Sequence, residues 1–175
     1  MCGSVLGVLL FGVAACTQTA PQSRPCPVVK VVPDASYVTS FSGESEDLTD
    51  TAFEAQIGGV KPLCKYIENT DTQKVSISSD LLVKLTASRG PKVTGDQAVF
   101  NYFVALTGQG GALIKREKFD VTIPLTADKP LGSIVDNPVV TIPLKKGETG
   151  DYYQIYVYLD VTEKQLAYNR RNPRQ

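Results

Sequence analysis

Residues 98–125 read AVFNYFVALTGQGGALIKREKFDVTIPL. Phe100, Tyr102, Val104 and Leu106 recur at every second position, the period of a strand with one buried face. Gly108-Gln109-Gly110-Gly111 follows, where glycine tolerates the left-handed backbone that tight turns require. On the return, Leu113 and then Phe119, Val121 and Ile123 are expected to point back into the same core. Lys115-Arg116-Glu117-Lys118 is the solvated part. The stretch predicts a long antiparallel hairpin.

The same two-residue period extends outward. Val28–Val32 is a dense β-branched run halted at Pro33, and Tyr37–Phe41 is expected to continue the same edge. Phe53, Ala55 and Ile57 alternate with Glu54 and Gln56 until Gly58-Gly59 ends the strand. Val75, Ile77, Leu81, Val83 and Leu85 form the next, up to Arg89-Gly90-Pro91. The last strand runs from Tyr152 to Thr162, with Tyr153, Ile155, Val157, Leu159 and Val161 on one apolar face. Val121-Thr-Ile-Pro-Leu125 recurs as Val140-Thr-Ile-Pro-Leu144. Proline cannot donate to a ladder, so both segments belong at edges, bulges or strand ends. Two such edges favour a sandwich of open sheets over a closed barrel. Only Glu163 to Arg170 reads as helical, for one or two turns. The expected fold is all-β: an immunoglobulin-like β-sandwich of about eight strands over residues 28–165, with a small β-barrel as the alternative. Residues 166–175 then form a basic C-terminal tail.

The chain of 175 residues suits one domain, and 42% hydrophobic with 21% charged residues is a globular composition. Eighteen lysines and arginines balance eighteen acids, which argues against a nucleic-acid partner. There is no histidine, so Ser-His-Asp and Cys-His catalysis are impossible and the commonest zinc ligand is missing. Ser-Lys and paired-carboxylate mechanisms stay formally open, but no motif points to either. Gly108–Gly111 lies between strands rather than before a helix, so it is a hairpin turn and not a phosphate loop. The expectation is a non-catalytic protein without a catalytic residue, metal or cofactor.

At the N-terminus, Val5–Val13 is an uncharged apolar run, too short for a membrane span but right for the core of a signal peptide. Val13-Ala14-Ala15-Cys16 follows at once. These residues resemble the lipobox of a bacterial lipoprotein precursor: an aliphatic residue, two small residues and the cysteine. The resemblance covers residues 1–16 only. It implies a signal peptide over 1–15, cleavage before Cys16 and acylation of that cysteine, with about 0.8 kcal/mol of anchoring per buried CH₂. Thr17 stands where an aspartate would retain the protein in the inner membrane, so the expected location is the periplasmic face of the outer membrane. Met1–Ser4 carries no lysine or arginine, so either the amino terminus alone supplies the charge that export signals carry or, the expectation favoured, the start codon lies upstream.

Of the four cysteines, Cys2 leaves with the signal and Cys16 takes the lipid. Cys26 and Cys64 remain, and in an oxidising compartment two leftover cysteines are expected to pair. Residues 16–27 are polar and proline-bearing, a tether that keeps the domain within roughly 18 Å of the membrane.

Three features are candidates for function. Glu44, Glu46, Asp47, Asp50 and Glu54 could supply oxygens to calcium, but the spacing matches no calcium loop and a solvated loop reads the same way. Arg170-Arg171-Asn172-Pro173-Arg174 could touch anionic headgroups, or simply fray as termini do. The last strand's second face carries Tyr152, Gln154, Tyr156 and Tyr158, an unusual set for a wet surface because tyrosine is a preferred contact residue. A helix, loop or second sheet covering that face would explain the same pattern. The function expected is an accessory or scaffold subunit of an envelope protein assembly. The alternative is a module that binds an envelope glycan, lipid or metal.

Overall fold

The computed structural model describes residues 24–43 and 45–174. The expected signal peptide over 1–15, Cys16 and Glu44 lie outside them. Among the described residues the strands are β1 (Val28–Val31), β2 (Tyr37–Phe41), β3 (Thr51–Asn69), β4 (Lys74–Arg89), β5 (Gln97–Thr107), β6 (Leu113–Pro124), β7 (Leu131–Asp136), β8 (Val139–Leu144) and β9 (Gln154–Leu159). One helix, α1 (Glu163–Arg171), follows them. The first sheet has the order β1-β9-β5-β6, and the second has β2-β3-β4-β7, with β8 also on β4. β1 and β6 are the edges of the first sheet; β2 and the β7–β8 line are those of the second. The edges do not join, so the fold is a β-sandwich, an architecture shared with immunoglobulin-like domains, and not a barrel.

The hairpin forms as its pattern predicts, from Gln97 opposite Pro124 to Thr107 opposite Leu113. Leu113 is the exception. A bulge between Leu106 and Thr107 shifts the register, and Leu113 stands in solvent. The repeated Val-Thr-Ile-Pro-Leu segments lie on edges: Pro124 closes β6, and Pro143 pairs with Ser76 on the outermost strand β8. Neither position asks proline for a ladder donor.

Two local expectations are corrected. Val28–Val32 and Tyr37–Phe41 do not share an edge: a 3-10 turn at Pro33–Ala35 carries the chain from the rim of the first sheet to that of the second. Gly58-Gly59 does not end its strand either. Ile57 pairs with Leu85 and Gly59 with Lys84, so the extra residue is absorbed as a bulge and pairing continues to Asn69 opposite Lys74. Gly59 takes φ +153°, which a residue without Cβ adopts freely. The partner strand β4 runs on for sixteen residues and is buried at every second position from Ile77 to Ala87, so the ladder resumes beyond the interruption.

The core lies between the sheets. Leu81, Leu85, Tyr102, Ile123, Ile155 and Val157 are fully buried there, each stabilising the fold by about 1.5–3 kcal/mol. Tyr102 donates its hydroxyl to Asp136 Oδ2 at 2.7 Å, a tie from β5 to the end of β7. Burial, reinforced by that carboxylate, raises the phenol pKa well above the ordinary tyrosine value.

The Cys26–Cys64 disulfide is present, with Cα atoms 6.2 Å apart. It fastens the chain just before β1, in the first sheet, to β3 in the second. Tyr66 adds to the clasp by donating to the Pro25 carbonyl at 2.6 Å and accepting from the Gly150 amide at 2.9 Å. A Cβ on Gly150 would lie 2.3 Å from the Pro25 oxygen; only glycine lets the two backbones meet there.

Candidate functional site

β9 runs between β1 and β5, so its two faces have opposite fates. Tyr153 and the residues alternating from Ile155 to Leu159 are buried between the sheets, whereas Gln154, Tyr156 and Tyr158 turn outward and stay half-buried. The second sheet occupies the inner side, and α1 packs against β2 and the 3-10 turn at Pro33–Ala35. Tyr152 is not part of the outward set. It belongs to a 3-10 turn, Gly150–Tyr152, before the strand begins.

Strand register decides the neighbours of these tyrosines. One row across the first sheet reads Lys30, Tyr156, Ala105, Arg116; the next reads Tyr158, Phe103, Lys118. Phe103 and Tyr158 have ring centroids 5.5 Å apart. Arg116 and Lys118 stand over the Phe103 ring at 4.6 and 5.8 Å, and Lys30 over Tyr156 at 5.9 Å. Such cation–π contacts contribute about 0.5–1 kcal/mol each at exposed sites. Gln154 Oε1 accepts from Lys30 Nζ at 3.0 Å and from the Tyr156 hydroxyl at 2.8 Å, which orients that ring. Lys118 is paired with Asp160 at 2.7 Å. The result is an aromatic strip, Tyr156-Tyr158-Phe103, bordered by cations on both strands beyond it.

Sequence reasoning missed Phe103, Lys30 and Arg116. Phe103 is the one aromatic on the outward side of β5, a local signal. That it stands beside Tyr158 follows from the β5–β9 pairing, between segments about fifty residues apart.

The acidic and basic stretches meet each other. Thr162 caps α1 through a capping box with Gln165, and the helix lays Tyr168 edge-on against Phe41 at 5.3 Å. Asn169 is buried, with Nδ2 donating to the Asp34 and Tyr37 carbonyls at 2.8 Å each. Arg170 pairs with Asp34 at 3.1 Å, Arg171 with Glu46 at 2.6 Å, and Arg174 with Glu54. Asp47 accepts from the Thr49 amide and hydroxyl, and these bonds hold its carboxyl below the usual range. Residues 166–174 are therefore a docked helix and strap, not a frayed tail. Glu46 and Glu54 serve as its counter-charges rather than as a loop facing only water. Among the described residues, no group of three or more histidine, cysteine or acidic side chains could hold a metal ion.

Arg174 also lines an open groove of about 570 Å³ formed by the second sheet and the β6 edge of the first. Gln56, Thr86 and Ser133 line it, with Lys84 and Lys129 at its walls. No pattern in the sequence marks this groove, because its lining comes from four strands, the loop before β7 and the far C-terminus.

No protein-family model and no curated protein matches the chain. Among solved structures, it is similar to the variable (V) domain of the Streptococcus agalactiae AgI/II polypeptide BspA, at 16% identity over 77% of this chain and 78% of that one, with a TM-score of 0.20.

Proposed function

We propose that the protein is a lipoprotein anchored through Cys16 at the periplasmic face of the outer membrane, whose sandwich is a non-catalytic accessory or scaffold subunit of an envelope protein assembly. The observation that carries this reading is the outward strip of Tyr156, Tyr158 and Phe103 bordered by Lys30, Arg116 and Lys118. Aromatic and arginine side chains dominate the energetics of protein contacts. A strip of this kind offers large apolar area at little cost in side-chain entropy.

The test is in-cell photocrosslinking of the full-length lipoprotein from the outward face of β9, with a Cys16→Ser form as the unanchored control. Reproducible capture of one envelope protein, lost in a Tyr156→Ser, Tyr158→Ser double variant that still folds, is the expected result. Capture that is indifferent to those two tyrosines would refute the assignment of the face. A second reading, binding of a small envelope ligand such as a glycan, is favoured by the groove beside Lys84 and Lys129. It predicts no captured protein and a bound small molecule on native mass spectrometry.

A further inference from the structure

The row Lys30-Tyr156-Ala105-Arg116 has a charge pattern of its own. The outer carboxylates of the first sheet, Asp120 and Asp160, lie together near its other end, beyond Asn101 and Phe103. Asp160 is taken by Lys118. Lys30 and Arg116, by contrast, rest on aromatic rings and an amide oxygen, and neither forms an ion pair among the described residues. Between them stands Ala105, a small side chain and only 5% exposed. The row therefore presents a cation, an aromatic ring, a small residue and a second cation.

We propose that this row receives an extended acidic segment of a partner protein, laid across the strands, with two carboxylates four residues apart and an apolar side chain midway. The spacing follows from sheet geometry. The backbones of Lys30 and Arg116 are three interstrand steps apart, about 14 Å, and four residues of extended chain span about 13 Å. An extended chain turns every second side chain to the same face, so the first, third and fifth residues all point at the sheet. The two acids meet Lys30 and Arg116, and the middle residue sits over Ala105 against Tyr156 and Phe103. The cations already lie on rings, so the segment finds them partly ordered, which lowers the entropy lost on binding.

This inference rests on the reading of the same face as a protein contact, and its test separates the two. A fluorescein-labelled peptide containing Glu-Ser-Phe-Ser-Glu is titrated with the full-length protein in detergent and followed by anisotropy. Binding is expected to weaken about two- to fivefold in Lys30→Gln and in Arg116→Gln, and to fall as salt shortens the screening length. A peptide with glutamines for the glutamates, or with the acids three residues apart, is expected to bind more weakly. Equal binding of the glutamine peptide, or indifference to both Lys30→Gln and Arg116→Gln, would overturn the inference. A partner captured in cells through Tyr156 and Tyr158 but unaffected by Lys30→Gln and Arg116→Gln would also overturn it, while leaving the scaffold reading intact. Peptide binding with the stated spacing, without capture in cells, would sustain the site and remove the scaffold reading.

Discussion

Replacing Asn169 with alanine tests whether the C-terminal helix is part of the folded domain. The Asn169 side chain is 1% exposed and donates to two backbone carbonyls, of Asp34 and Tyr37, at 2.8 Å each. Alanine leaves both acceptors without that donor, the Tyr37 carbonyl in a buried site and the Asp34 carbonyl in a partly buried one. Each costs about 1–3 kcal/mol, and partial relaxation brings the pair to about 2–4 kcal/mol. Against a total stability of about 5–15 kcal/mol that is a large fraction. In a domain of this size it lowers the melting temperature by roughly 5–15 °C. Thermal denaturation by circular dichroism provides the number, and limited trypsinolysis provides the location: cleavage after Arg170 and Arg171 should accelerate before the β core opens. Arg171→Gln is the control. Its pair with Glu46 is largely solvated, with side chains 57% and 31% exposed, and should contribute below about 1 kcal/mol. An Asn169→Ala protein that melts within about 2 °C of the parent would refute the docking and restore the picture of a frayed tail.

Removing the disulfide with Cys26→Ser and Cys64→Ser opens a loop of sequence separation 38, and the chain-entropy relation gives a loss of roughly 4 kcal/mol, readable as a lower urea midpoint. High pH should destabilise the fold through buried phenols. Burial, and then its hydrogen bond to Glu148, pushes the Tyr153 pKa up to about 12, and Tyr102 shifts in the same direction. The unfolded chain ionises near the ordinary value of about 10, so stability is intact below that pH and falls between about pH 10 and 12. Tyr153→Phe should flatten this fall in melts taken across that window. An unchanged pH profile would show that Tyr153 is not protected in the folded state.

Most strand positions and their buried faces, though not β7, were legible in the chain because they obey a local rule. Phe100, Tyr102, Val104 and Leu106 announce a core face every second residue, and all four are buried. The Cys26–Cys64 pairing, the edge placement of the two Val-Thr-Ile-Pro-Leu segments and the final helix were legible for the same kind of reason. Each rests on a residue's own chemistry or a few neighbours: two thiols expected to pair if the chain is exported, a proline lacking its donor, a capped helical turn.

Pairing between distant segments was decided only in three dimensions. Glycines 58 and 59 look like a stop, yet β4 continues opposite them and turns the stop into a bulge. The acids at 46 and 54 and the arginines at 171 and 174 are separate charge clusters in the chain, and only the docking of α1 on β2 makes them partners. The candidate face shows the same division. Tyr156 and Tyr158 stand out in one strand, but Phe103, Lys30 and Arg116 join them through the register of three strand pairings. Side-chain alternation along a strand follows from local backbone geometry, whereas the choice of neighbouring strand follows from how two sheets together bury the most apolar surface, a property of the whole chain.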